Sequence, residues 1–226
     1  MQAFVIYHGS ESVIGTPVYG AGNPHNDYGI GFYCTEERNM AAEWACKTPA
    51  GGYVNRYELD AEGFDILRLT DPSFHILNWL AVLLENRIFP LANPLPREAR
   101  QYILETFLPD YKNRDVIIGY RADDSYFSFA RAFLNNTISL SQLSSAMRLG
   151  RLGEQVVIKS RKAFSRIAYS GSEFVPGTIW YPRRIARDTA ARDAFRDLSA
   201  GGKASDAVYM LDILREKWRN DDERLF

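Results

Sequence analysis

The stretch Asp27-Tyr28-Gly29-Ile30-Gly31-Phe32-Tyr33-Cys34-Thr35 decides how the chain is read. Two glycines one residue apart suit a backbone that turns tightly or lets a ligand approach where a Cβ would collide. The apolar and aromatic residues after them form a short strand that carries Tyr33 outward. Thr35 then reads as the N-cap of a helix, with Glu36 and Glu37 in its first turn and Met40, Ala41, Trp44 and Ala45 at helical spacing. Tyr33 at a strand end and Trp44 on the following helix can face each other across a gap one flat ring wide. Such a slot suits a planar cation through stacking and cation–π attraction, although the same two rings would serve equally as core aromatics.

Upstream, Ala3-Phe4-Val5-Ile6-Tyr7 is a short apolar strand running into His8-Gly9-Ser10, and residues 13–26 are a Gly/Pro-rich loop. A histidine at a strand end offers a neutral imidazole to a hydroxyl, and Gly9 leaves its backbone open to a close-packed ligand; a lone histidine there also serves structure. Downstream, the period-two alternation of residues 53–59 predicts a half-buried strand, with residues 65–69 as its neighbour through the turn at residues 60–63. Helices are predicted over residues 74–89, with Leu77, Leu80, Ala81 and Leu84 on one face, and over residues 97–107. The buried strand at residues 116–120 delivers Arg121-Ala122-Asp123-Asp124, a strand-end charge cluster where binding groups collect; Asp123 or Asp124 also suits the cap of a helix over residues 126–135. A helix ending at Gly150 precedes a strand over residues 152–160, with Glu154 and Gln155 at its mouth. Residues 164–169 read as a last strand or a short helix. A loop with Pro176, Gly177 and Pro182 follows, then a helix over residues 185–198, a Gly201-Gly202 hinge and a terminal helix capped by Ser205-Asp206.

With 226 residues, 46% hydrophobic and 24% charged, the chain can bury a core of its own, and its formal charge of −1 removes any global electrostatic argument for nucleic acid or a membrane surface. Cys34 and Cys46 belong to no Cys-x-x-Cys or Cys/His group, which argues against a metal site or a disulfide framework. No basic segment followed by a long apolar run opens the sequence and no membrane span is present, so the expectation is a cytoplasmic protein as encoded; non-classical secretion would leave no trace in the residues.

Taken together, Tyr7-His8-Gly9-Ser10, the run from Tyr28 to Thr35 with Trp44, Ile118-Gly119-Tyr120-Arg121-Ala122-Asp123-Asp124 and the Glu154-Gln155 pair resemble the ADP-ribosyltransferase superfamily. The resemblance is to its histidine–tyrosine–glutamate branch, which includes diphtheria-type toxins and the poly-ADP-ribose polymerases. Within that branch the chain most resembles a bacterial family catalogued as a domain of unknown function, number thirty-nine-ninety. It implies an α+β fold on a split, mostly antiparallel sheet with helical insertions. The NAD-binding domain would span residues 1–170, followed by a C-terminal helical extension over residues 171–226.

Carried over by motif, His8 would bond the adenine-side ribose, the Gly9 backbone the nicotinamide amide, and Tyr33 with Trp44 would sandwich the nicotinamide ring. Ala41 stands where the polymerases carry a serine, so one nicotinamide hydrogen bond is either missing or supplied by Ser10; Gly31, Thr35, Arg121, Asp123 and Asp124 complete the candidate binding set. Glu154 and Gln155 compete for the place of the glutamate that opposes the positive charge developing as the glycosidic bond breaks. Strand alternation admits only one of them to the cleft. The implied activity is mono-ADP-ribosyl transfer from NAD by a bacterial toxin or effector, without a metal. A protein acceptor is favoured over nucleic acid, and a small antitoxin is a candidate partner. The alternative is an NAD-glycohydrolase or a non-catalytic NAD-binding or interaction module.

Overall fold

The computed structural model describes residues 3–122, 124–147, 153–200 and 207–226. In chain order the elements are β1 (Ala3–Ser10), β2 (Phe32–Cys34), α1 (Arg38–Ala45), β3 (Gly52–Asp60), β4 (Ile66–Arg68), α2 (Ile76–Asn86), α3 (Pro94–Phe107), β5 (Val116–Tyr120), α4 (Asp124–Leu134), α5 (Leu140–Ala146), β6 (Glu154–Ile158), α6 (Arg161–Phe164), β7 (Ile167–Val175), α7 (Gly177–Ala200) and α8 (Met210–Glu216). The fold is α+β. One sheet has the order β1-β3-β7 and is antiparallel; the other has the order β2-β6-β5-β4 and is antiparallel except for its β4–β5 pair. A bridge ties the sheets together, Tyr7 and Thr35 exchanging backbone N–H···O bonds of 2.8 and 2.9 Å.

Strand alternation sorts the side chains into layers. Ile6, Cys34, Tyr57, Leu59, Val116, Ile118, Val156 and Ile158 fill the space between the sheets. Ile117 and Val157 point to the opposite face of the four-stranded sheet, into a core shared with α2 to α5 and α8. Helix α1 lies on the outer face of the three-stranded sheet, pressing Ala41, Ala42 and Ala45 against Val54 and Val175. That approach is possible only over glycine: a Cβ on Gly9 would stand 1.9 Å from the Ala41 carbonyl oxygen, and one on Gly52 2.4 Å from that of Ala45.

Several expectations are corrected. Residues 66–68 pair with β5 in the second sheet, not with β3, because the turn after Asp60, with Gly63 at φ +70°, carries the chain across, and the Asp115 carboxylate accepts from Asp65 N–H at 3.0 Å. Thr35 is not the cap of α1. Glu37 holds that position, while the Thr35 hydroxyl accepts from Glu37 N–H at 3.1 Å and its backbone bridges to Tyr7. Helix α2 begins at Ile76, where the Asn78 side chain accepts from His75 N–H at 2.9 Å, and it is buried on every side from Leu77 to Leu84 rather than on one face. Residues 164–169 divide between α6 and β7, and α7 runs through Pro182, which forgoes one backbone hydrogen bond near the helix start. Residue 170 falls inside β7, and Met210, Ile213 and Trp218 enter the main core. Asp123, the helix end at Gly150, the Gly201-Gly202 hinge and the Ser205-Asp206 cap lie outside the described residues. Among the described residues no helix is long and apolar enough to cross a membrane.

Candidate functional site

On β2, Phe32 and Cys34 face the space between the sheets, so Tyr33 faces the other way; on β6 the same alternation sends Gln155 to the side of Val157 and leaves Glu154 on the side of Val156. The Tyr33 phenol turns inward, correcting the expectation of an outward ring. It donates to the Gly29 carbonyl at 2.7 Å and accepts from Tyr28 N–H at 3.0 Å, closing the glycine turn, in which Gly29 has φ +71°. Burial, reinforced by the nearby Asp27 charge, pushes its ionisation far up, so it acts as a neutral hydroxyl. Tyr28 is fully buried and donates to the Tyr120 carbonyl at 2.6 Å, in room left by Gly119, where a Cβ would stand 2.4 Å from the Tyr28 hydroxyl.

A cleft of about 400 Å³ opens beside Tyr33. Gly9, Tyr33, Trp44, Arg121 and Gln155, five of the residues singled out from the sequence, line it together. Trp44 presents a buried indole N–H with no hydrogen-bond partner, and the Arg121 guanidinium lies over its ring at 4.4 Å from the centroid. A planar cation thus already stacks on the indole, from within the chain.

The other predicted residues lie elsewhere. His8 packs on Phe32 at 4.6 Å between ring centroids and donates from Nδ1 to the Tyr33 carbonyl at 2.7 Å, which assigns the neutral tautomer with Nε2 as acceptor. Burial, aided by the Lys47 charge and opposed by that hydrogen bond, holds its pKa below the usual 6.5. Ser10 accepts from the Asn55 amide at 2.9 Å and donates to the Ser12 carbonyl at 2.6 Å. Gly31 gives its space to β6: a Cβ there would stand 2.7 Å from Val157 Cγ1. Thr35 is fully buried at the bridge between the sheets. Glu154 accepts from Arg68 at 2.5 Å and from the Thr70 hydroxyl, and does not line the cleft. Asp123 is outside the described residues, and Asp124 begins α4.

Sequence reasoning missed a group that ties the cleft together. Asp27 is 4% exposed; its Oδ1 accepts from Arg87 Nε at 2.8 Å and Nη2 at 2.7 Å, and its Oδ2 from Ala122 N–H at 2.9 Å and Gln155 Nε2 at 2.8 Å. A carboxylate only accepts, so the Gln155 amide must turn its nitrogen to Asp27 and keep Oε1 as its free acceptor. Asp27 opened the run that decided the fold, but the residues that answer it are 60, 95 and 128 positions away. Lys47, Arg184, Asp188 and Arg192 also line the cleft, the last three from α7. Among the described residues no group of three or more His, Cys, Asp or Glu side chains could hold a metal ion.

No curated protein and no solved structure matches the chain. A family model does, over residues 4–169, from β1 into β7, so the cleft's floor lies within the match and α7 beyond it. That match covers well over half of the 226 residues, and the chain belongs to the family described as Protein of unknown function (DUF3990).

Proposed function

We propose that the cleft binds NAD and that the protein is a mono-ADP-ribosyltransferase, with the nicotinamide end beside Gly9, Tyr33 and Trp44. The reading rests on one observation: Gly9, Tyr33, Trp44 and Gln155, drawn from four separate elements, line the same 400 Å³ cleft. The residues fit the ligand in two respects. An unpartnered buried indole N–H awaits an acceptor, and the Trp44 face already accommodates a delocalised cation. NAD supplies a glycosidic bond to a cationic leaving group, which breaks as an acceptor approaches the ribose. The chain's part is to hold the ring between Tyr33 and Trp44, to accept a ribose hydroxyl at Gln155 Oε1 and to exclude water from the ring. Arg121 must give up its place on the indole when the ring enters. Incubation of the full chain with labelled NAD and bacterial lysate should release nicotinamide and label an acceptor, and Tyr33→Ala should abolish both. Neither release nor labelling, with the variant indistinguishable from the parent, overturns the assignment.

A second reading is favoured by Gln155 itself. Glu154, the residue whose charge would oppose the developing cation, is engaged by Arg68 and Thr70, and the cleft receives a neutral amide. A protein that binds NAD but transfers nothing, or transfers only to water, fits that substitution. Calorimetric NAD binding without labelling in any lysate selects it, and nicotinamide release then separates the glycohydrolase from the silent binder. The toxin or effector role, a protein acceptor and a small antitoxin partner rest on the superfamily resemblance alone.

A further inference from the structure

Helix α7 lies beyond the family match, yet it forms one wall of the cleft. Arg184, Asp188 and Arg192, four residues apart, share one helical face and all line it. The helix is held there firmly. Arg187 Nε meets Glu43 of α1 at 2.6 Å, with both side chains about seven-eighths buried, Phe195 stacks on Phe129 at 3.9 Å between centroids, and the Gln142 amide donates to the Leu198 carbonyl at 2.7 Å. Two of the cleft's cations are answered from within it: Arg87 pairs with Asp27, and Arg192 with Asp188 at 2.8 Å. Lys47, in the turn after α1, and Arg184 have no carboxylate within ion-pair distance among the described residues.

We infer that Lys47 and Arg184 form an anion site on the cleft wall, taking the phosphate-bearing part of a nucleotide whose ring end lies between Tyr33 and Trp44. The inference rests on the NAD reading for the identity of the nucleotide, and on the charge arrangement alone for the anion. Two unpaired cations facing one concave site attract a dianion and can form charge-assisted hydrogen bonds to its oxygens. Arg184 can do so bidentately, and Lys47 acts as a point charge. It follows that α7 is part of the ligand site rather than an appendage.

The test uses the full chain and three probes, inorganic pyrophosphate, NAD and nicotinamide, titrated calorimetrically into the parent, Lys47→Ala and Arg184→Ala, with thermal melts to show that each variant folds. Each substitution should weaken pyrophosphate and NAD about tenfold, the loss of a charged hydrogen bond, and leave nicotinamide unchanged. If NAD binds the parent and both variants equally, the anion site is overturned and the NAD reading stands. If pyrophosphate binds the parent, weakens in the variants and NAD does not bind at all, the anion site stands and the NAD reading falls. If pyrophosphate fails to bind the parent, the anion site is overturned whatever NAD does.

Discussion

Replacing Gln155 with glutamate would supply the carboxylate that the histidine–tyrosine–glutamate pattern expects, and the structure argues that by itself it should fail. The amide nitrogen lies 2.8 Å from Asp27 Oδ2, so the new oxygen would meet a carboxylate oxygen where a donor had been. Two unit charges at that separation repel by about 6 kcal/mol at an effective dielectric of 20, and the lost charged hydrogen bond adds about 2 kcal/mol. Arg87 offsets part of this. A limit is also set by proton uptake: holding a carboxyl of ordinary pKa near 4.3 protonated at pH 7 costs about 4 kcal/mol, so the pair captures a proton instead of bearing the full repulsion. The sign follows. The folded variant's carboxyl pKa is raised above its unfolded value, so the folded state holds more protons, and stability recovers as pH falls, by about 1.4 kcal/mol per unit. Denaturant unfolding should show Gln155→Glu less stable than the parent by about 4 kcal/mol at pH 7 and by about 1 kcal/mol at pH 5. Asp27→Asn combined with Gln155→Glu should recover only part of the loss: an amide nitrogen at position 27 can donate to the new carboxylate, but it then faces the Ala122 N–H that Asp27 Oδ2 accepts from. On the transferase reading, only the double variant should then release nicotinamide faster. A Gln155→Glu protein as stable as the parent at pH 7, with no added pH dependence, would refute the Asp27–Gln155 contact and the amide orientation built on it.

Glu154→Gln should leave NAD binding and turnover unchanged and lower stability by less than about 1 kcal/mol, since its pairing with Arg68 is about one-third exposed on both sides and screened; a loss of turnover would return the catalytic role to Glu154. Gly9→Ala should destabilise the fold by several kcal/mol, about 3 or more, because the added methyl meets the Ala41 carbonyl and Ala45 N–H, which are backbone and cannot swing aside; a melting temperature near that of the parent would show α1 to be looser than described. His8 and His75 are both held below the usual value of 6.5, each chiefly by burial. The unfolded chain therefore takes up protons that the folded chain refuses, and the stability these residues contribute above pH 6.5 should fall as the pH drops toward 5, by up to about 1.4 kcal/mol per unit for each. A combined His8→Gln and His75→Gln variant should flatten that slope, and an unchanged slope would count against it.

What could be read from the residues alone, and what could not, divides along the range of the interactions. The β1 strand, the Gly29 turn, the placement of Tyr33 and Trp44 on adjacent elements and the alternation that separates Glu154 from Gln155 are local properties, carried by spacing and backbone preference. The residues 66–68 show the limit: their pattern marks a strand, but the partner is chosen by where a turn sends the chain, and nothing in the pattern distinguishes β3 from β5. Glycines show it as well. Their spacing suggests room for a ligand at Gly9 and Gly31, yet both owe their identity to protein that comes too close for a Cβ, although the Gly9 backbone also lines the cleft. The same distinction decides the third motif. Whether a polar side chain at a strand mouth acts as an acceptor depends on what fixes its orientation, and here that is a buried aspartate 128 residues away, itself neutralised by an arginine from a third element. The helix that closes the cleft carries no motif at all; its stripe of Arg184, Asp188 and Arg192 reads as an ordinary solvated face until the Arg187–Glu43 pair turns it inward. Motif residues can thus mark where a cleft forms, while the charge and orientation of the groups inside it are set by long-range contacts that no local pattern records.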